Sequence, residues 1–520
     1  MKKILYSSIA MLLFFASCES YLDVNENQTN KPNFSDLAPK QMLAGAINNF
    51  TNHQIITLGN YGNRVAYVWG LNSGYTSTDP AWTYVFDSSS YKTIFENSYL
   101  FADNFQDILD KKSQFPDYSY HYGIAKVMKV ISMDYITALY GDAPYSEAFN
   151  PSITAPKYDD DKTIIPKLFA ELDEAKAYFN TTSTTVVGLG AEDIVFKGDK
   201  SKWLKFINTV ELRLLLRLSK TTDAALVAIR TSRFAALDAN KNFITEDVAV
   251  NPGYNTSTLN SRTPVFRAYG QNESFSAPTS ANAANAAGDF AVKLVSGTIN
   301  DANITTGIVD PRRPRLFTSV SGAFIGNVQG IFPLTPISKI ATFYHGGTGA
   351  SVEISNKNGA ERDAYLMLAA ESHFLQAEAI ERGYLTGVAK TEFDEGVIAS
   401  FKFYNRGFGT ITYTALSASD YLTSIAGKNG LDYSASANKI SAIMTQKYIA
   451  LAQCNGIELY IDNMRTGFPV LPLPFGVIAT TRPNRLIYPT SEYSSNSTNV
   501  PNVTNADLFT VNAKTPYYLQ

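Results

Sequence analysis

Apolar side chains that recur three and four positions apart, block after block, limit this chain to a helical scaffold. Ile124, Val127, Ile131, Tyr135 and Ala138 keep that spacing until Gly141 and Pro144 end it, which is the buried stripe of one α-helix. Trp203, Phe206, Val210, Leu214 and Leu218 form a second stripe, and Thr222 to Leu237 is expected to turn back against it. Further helices are expected from a Ser35-Asp36 cap to about Phe50, and over Tyr91 to Lys112, Asp161 to Phe179, Asp363 to Arg382 and Thr391 to Tyr404. A last one, Lys439 to Met464, should break near Asn455-Gly456. Several lie in adjacent pairs with short turns, the pattern of stacked helical hairpins, although no clean repeat period connects them.

Two stretches interrupt this pattern. Asn251 to Asn285 dissolves into Asn, Ser, Thr, Pro and Gly with scattered aromatics, and Asp310 to Gly347 carries Pro311, Pro314, Pro333 and Pro336, which forbid long helices. Structureless stretches of that length inside a compact chain are usually functional or disordered. The expected fold is therefore mainly α, with tetratricopeptide-like helical hairpins in a superhelical scaffold and long irregular loops.

The N-terminus reads as an address. Lys2 and Lys3 precede an apolar run, Ile9 to Ala16, that ends in Phe15-Ala16-Ser17-Cys18. A bilayer span takes roughly 20 apolar residues, so this shorter run, ending in small residues, reads as a cleaved leader. The expected organisation is a lipoprotein signal peptide over 1–17, a lipid-anchored arm over 18–34 and a single α-helical domain over 35–520, with Cys18 as the lipidation site. The other cysteine is Cys454, so with Cys18 acylated no internal disulfide can form, and the fold must rest on its core.

Composition excludes one class of partner. The chain has 44 basic and 47 acidic residues, and no stretch gathers more than a few Lys or Arg; nucleic acid, which demands a clustered basic surface, is not expected. Aromatic residues make up 12% of the chain, which suits recognition of ligands that are polar with apolar faces.

Tests for chemistry return little. His53, His121, His345 and His373 have no zinc-site spacing, Gly70-Leu71-Asn72-Ser73-Gly74 puts Asn where a nucleophile elbow needs Ser, and no Gly-rich stretch leads into Lys-Ser or Lys-Thr. Asp23, Asn25 and Asn27 imitate a calcium loop, but Gln28 and Phe34 replace its Gly and its bidentate Glu. No cofactor, metal or catalytic residue is assigned. Glu371 and Glu378 share one helix face about 10 Å apart, whereas a glycosidase pair must oppose each other across the scissile bond. They are expected to be partly buried and paired with cations, Arg213, Arg217, Lys447 and Arg465 being the candidates.

The stronger clue is aromatic. Arg64, Tyr67, Trp69, Tyr75, Trp82 and Tyr84 lie in a Gly-, Asn- and Ser-rich stretch between helices. Tryptophan in a polar loop offers a flat apolar face to a sugar ring or a peptide side chain, so Arg64, Trp69, Tyr75 and Trp82 are the candidate ligand-binding residues. The alternative is that these rings fold back as a local mini-core. Tyr254, Phe266, Tyr269 and Phe275, with Arg262 and Arg267, form a second set.

With these residues laid out, the chain resembles the SusD/RagB family of Bacteroidota surface lipoproteins, in its SusD-like branch. Tyr21-Leu22-Asp23-Val24-Asn25 is similar to the family's opening arm, and Asp134 with Tyr140-Gly141-Asp142-Ala143-Pro144-Tyr145-Ser146-Glu147 to its helix-stop motif. Trp203, Phe206, Arg213 and Arg217-Leu218-Ser219 resemble the next block, and Glu371, Phe374 to Ala379 and Arg382-Gly383 its repeat-like helix. Gln446-Lys447-Tyr448, Glu458, Asp462 and Arg465-Thr466-Gly467 are similar to the late signature, and Pro483, Arg485 and Tyr488-Pro489 to the closing one. Tyr460 stands where Trp is common, Met464 where a second Arg is common, and Phe15 where a lipobox has Leu.

The resemblance implies an outer-membrane, lipid-anchored, cell-surface protein that binds oligosaccharides or peptides. Its implied partner is a SusC/RagA-like TonB-dependent outer-membrane transporter, over which it closes as a hinged lid; no catalysis is implied. The alternatives are a surface-anchored glycan hydrolase and a structural or adhesive surface lipoprotein.

Overall fold

The first long helix begins where a proline allows it, not at Ser35-Asp36. In the structure, a computed structural model that describes residues 34–299, 301–341, 343, 357–407 and 412–520, helix α1 spans Pro39–Asn52, and Ala38 is its N-cap. Proline at the first helical position sacrifices an N–H that has no partner anyway, and the Gln41 side chain accepts the Ala38 N–H at 2.8 Å. Phe34–Asp36 is a separate 3-10 turn. The expected signal peptide of residues 1–17, Cys18, the arm as far as residue 33, and His345 lie outside the described residues.

Apart from the short helix at Gly59–Val65, which no apolar spacing marks, the long helices that follow agree with that spacing. In chain order they are labelled α2 (Gly59–Val65), α3 (Lys92–Asp110), α4 (Ser119–Tyr140), α5 (Asp161–Phe179), α6 (Lys200–Arg217), α7 (Ala224–Ala239), α8 (Ala369–Glu381), α9 (Ala389–Tyr404), α10 (Lys439–Leu451) and α11 (Gly456–Thr466). Asp160, Asp199 and Asp223 cap α5, α6 and α7 with their carboxylates, each satisfying N–H groups that a helix start leaves without partners. Gly141 stops α4 at φ +75°, a backbone state that costs glycine little. Sequence neighbours pack as hairpins, α3 on α4, α4 on α5 and α8 on α9, and α8 also meets α10. The buried apolar residues form one connected cluster that runs from Leu43 to Tyr518.

One expected helix starts late. Ala364–Met367 is a strand, β6, paired antiparallel with β4 (Val248–Val250), and α8 begins only at Ala369. The partner strand lies more than a hundred residues upstream, so nothing local marks the switch. Among the described residues, the other named strands are β1 (Trp69–Leu71) with β5 (Asn285–Ala287) and β2 (Ala143–Pro144) with β3 (Tyr158–Asp159).

Where α4, α6, α8, α10 and α11 meet, the core is charged. Arg213 reaches Glu371 at 2.7 Å and Glu458 at 3.5 Å; Arg217 reaches Asp134 at 2.7 Å and Glu458 at 2.9 Å. Lys447 meets Asp462 at 2.7 Å, and Arg465 holds both Glu378 and Asp462. Glu371 and Glu378 are fully buried, deeper than expected, and two of the four candidate cations serve them while Arg217 and Lys447 serve Asp134, Glu458 and Asp462. Burial alone would raise Glu378 and Glu458, but Arg465 holds the first, and Arg213 with Arg217 the second, below the ordinary carboxylate range. Ions taken this far from water survive because each finds an opposite charge.

Candidate ligand-binding site

The aromatic stretch after α2 divides into an inner and an outer part. Trp69 sits in β1, is fully out of solvent and meets Tyr269 edge-on, ring centroids 4.9 Å apart. Trp82 lies in a short helix, Pro80–Thr83, whose first turn is capped by Asp79 accepting the Ala81 N–H at 2.9 Å. The Arg64 guanidinium stands 5.0 Å from the Trp82 ring centroid, pairs with Asp79 and donates to Asn285 Oδ1 at 3.3 Å. Burial would lower the pKa of Arg64, but Asp79 raises it above its ordinary value. Tyr75, by contrast, is exposed. Tyr67, Tyr84 and Tyr91 adopt left-handed backbone conformations, φ 61°, 55° and 53°, the last two at the end of the Pro80–Thr83 helix and the start of α3.

Trp82 is also one wall of a cleft of about 180 Å³, together with Leu71, Ser77 and Thr83. The opposite wall comes from two distant loops, one carrying Ile331 and Phe332, the other Phe475 and Val477. Phe332 is 50% exposed and Phe475 67%. Large apolar side chains left in water around a concave site mark a binding surface, and no ionisable side chain lines this cleft.

Gln329 ties the three segments together. Its backbone N–H donates to the Tyr67 hydroxyl at 2.9 Å and its Nε2 to the carbonyls of Arg64 and Trp69 at 2.6 and 2.7 Å. Its own carbonyl accepts the Phe475 N–H at 2.7 Å. Gly330, at φ +84°, allows the crossing, because a Cβ there would stand 2.3 Å from the Phe475 carbonyl oxygen.

Of the four candidate residues, the structure puts Tyr75 at the surface and Trp82, itself only 5% exposed, along the cleft. Trp69 is buried against Tyr269, and the half-buried Arg64 stacks on Trp82. Phe332 and Phe475 were not singled out from the sequence. A signal was there: no Lys, Arg, Asp or Glu occurs from Phe317 to Ser338 or from Thr466 to Thr481, and these two runs supply the far wall. In the second aromatic set, Arg262 is buried, donates to the carbonyls of Gln271, Asn272 and Glu273 and sits 3.9 Å over Phe275. The Tyr254 hydroxyl donates to Asn48 at 2.8 Å. Tyr254 ties the long loop to α1, and Arg262 ties the loop to itself.

The described histidines and one aspartate cluster have local partners. His53 meets Ser98 at 2.9 Å, and burial lowers its pKa to about 3; His121 meets Glu192 and His373 meets Glu392. Asp142, Asp160 and Asp161 bring carboxylate oxygens within 4.8 Å of one another. Each accepts a backbone N–H, from Asp161, Lys162 and Tyr517 respectively, which makes them chain-anchoring groups. Among the described residues no helix is long and apolar enough to cross a membrane.

A family model described as starch-binding and associating with the outer membrane, the SusD-like family, matches residues 30–489. Curated proteins contribute no match. Among solved structures, a chitin-binding SusD homolog from Flavobacterium johnsoniae is similar at TM-score 0.70 and 20% identity, over 92% of this chain and 98% of that one. A SusD homolog from Bacteroides fragilis NCTC 9343 is similar at TM-score 0.69 and 19% identity, over 93% and 100%. A structure named as a chitin-binding protein is similar at TM-score 0.65 and 22% identity, over 89% and 94%. At these identities the likeness establishes the mainly helical fold.

Proposed function

The chain belongs to the SusD-like family, and on that footing we propose that it is a non-catalytic, lipid-anchored binding protein for nutrient oligomers, glycans first among them. The observation that carries this reading is the cleft in which Trp82 faces a wall bearing the exposed Phe332 and Phe475. Flat apolar groups around an uncharged concavity suit the C–H faces of sugar rings, with Ser77 and Thr83 beside them. Tyr75 extends the surface, while Arg64 holds Trp82 in place. Chitin binding by structurally similar proteins supports a glycan before a peptide.

In this reading, residues 35–520 act as one domain and Cys18 tethers it through the arm over 18–34. Its partner is a SusC-like TonB-dependent transporter that it covers as a lid. Titration with starch, chitin and peptide oligomers, repeated on Trp82→Ala and Phe475→Ala, tests the ligand; binding that survives both substitutions refutes the cleft. Affinity purification from solubilised outer membranes tests the partner, a barrel recovered in near-equal amount being the expected result.

A further inference from the structure

The loop that carries Phe475 walls two clefts. A second one, of about 470 Å³, lies between Val470, Leu471 and Pro472 of this loop and Asp289, Lys293 and Asp301. Pro472 and Phe475 are three positions apart, at most about 10 Å along an extended chain, and both are exposed, as is Val470 at 48%. The segment Gly326 to Gly330 forms the rest of the partition. Asn327 lines the first cleft, and its carbonyl accepts the N–H of Asp289, which lines the second, at 2.9 Å. A Cβ on Gly326 would stand 2.3 Å from Asp289 Cα, as close as one on Gly330 would stand to the Phe475 carbonyl oxygen. The segment is thus pressed between the short helix Asp289–Val295 at one end and the Phe475 loop at the other.

The second cleft differs from the first in chemistry. Lys293 pairs with Asp289 at 2.7 Å, one turn apart on the short helix, and its side chain is 49% exposed. Asp301 is held in place by Asn303, whose backbone N–H and Nδ2 both donate to Asp301 Oδ1 at 2.8 Å. Phe290 and Ile299 add apolar surface beside these groups. Fixed charged side chains next to apolar walls suit ligand hydroxyls, which can both donate and accept. They do not suit an anion. Asp289 balances Lys293, Asp301 adds a further negative charge, and the first cleft has no ionisable lining, so a carboxylate-bearing oligomer would meet no unpaired cation in either lining.

We propose that the two clefts are successive subsites for one uncharged, hydroxyl-rich oligomer, held by its apolar ring faces at Phe332 and Phe475 and by its hydroxyls at Asp289, Lys293 and Asp301. This rests on the glycan reading above and adds to it a length requirement and a charge preference. An oligomer that crosses the ridge from Phe475 to Pro472 engages the second cleft while already held in the first. Its second contact is therefore made at a high effective concentration, which a sugar too short to cross cannot exploit.

Calorimetric titration of the full chain with starch and chitin oligomers of increasing length, beside uronic-acid oligomers of matched lengths, tests this. Affinity for the neutral series is expected to rise at least about tenfold from the shortest oligomer that binds to those that reach the second cleft. Lys293→Ala and Asp301→Asn should each shrink that long-to-short ratio, whereas Phe475→Ala should weaken every length. The uronic-acid series should bind more weakly throughout. Affinity that stays flat with length, or a long-to-short ratio unchanged in both Lys293→Ala and Asp301→Asn, overturns the second subsite while leaving the first cleft standing. Equal affinity for the uronic-acid series overturns the charge preference. Absence of binding by every neutral oligomer overturns the glycan reading itself, and this inference with it.

Discussion

Arg217 grips Asp134 through both Nε and Nη2, at 2.7 to 3.0 Å, with neither side chain more than 2% exposed. The two residues stand 83 positions apart, so the contact pins α6 to α4 across the centre of the scaffold. Glu458 takes the remaining reach of Arg217 Nη2 and brings α11 to the same point.

Removing one partner leaves a buried charge without its counter-ion. Arg217→Ala and Asp134→Ala are each expected to cost about 3–5 kcal/mol of stability, read by urea unfolding at neutral pH. An exposed pair such as Lys202 with Glu246, 44% and 66% exposed, should cost less than about 1 kcal/mol by the same measurement.

Glu378 makes the network sensitive to acid. Its folded pKa is depressed by Arg465 and Arg382 against the burial that would raise it, so its contribution is present above the unfolded value near 4 and is lost as pH falls through the folded value. Glu378→Gln should therefore lie about 3 kcal/mol below the parent at pH 7, with the gap narrowing below pH 4. A gap that stays constant from pH 7 to 3 would contradict the pairing.

Gly62 and Gly456 allow α2 and α11 to cross with backbones in contact. A Cβ on Gly62 would stand 2.2 Å from the Gly456 carbonyl carbon, and one on Gly456 would stand 2.4 Å from the Asn63 nitrogen. Gly62→Ala must push the helices apart and is expected to cost at least about 1–3 kcal/mol. Gly45→Ala, with open space around it, should be neutral or slightly stabilising through helix propensity, and thermal melts of the two variants should separate clearly.

The tryptophans predict a split between stability and binding. Trp69→Ala empties a fully buried site and should cost about 3–5 kcal/mol. Phe475→Ala removes an exposed ring, so the melting temperature should hardly move while affinity for a glycan oligomer falls about tenfold, about 1.4 kcal/mol. Loss of stability in Phe475→Ala without loss of binding would make that ring scaffold instead.

By itself, the sequence determined where most of the long helices lie, because spacing such as Ile124, Val127 and Ile131 is a local property that survives without knowledge of partners. The stop at Gly141 was legible for the same reason, whereas the cap expected at Ser35-Asp36 was not the one the helix uses. Its ordered motifs also determined the family, through residues such as Asp134, Arg217 and Arg465 that turn out to share one buried network. Tertiary structure alone decided the strand at Ala364–Met367, whose partner is remote, and the division of the aromatic stretch into buried Trp69 and cleft-lining Trp82. It alone joined the two uncharged runs around Phe332 and Phe475 into one wall. Burial and proximity between distant segments depend on how helices pack, and periodicity says which face is apolar without saying what that face will meet.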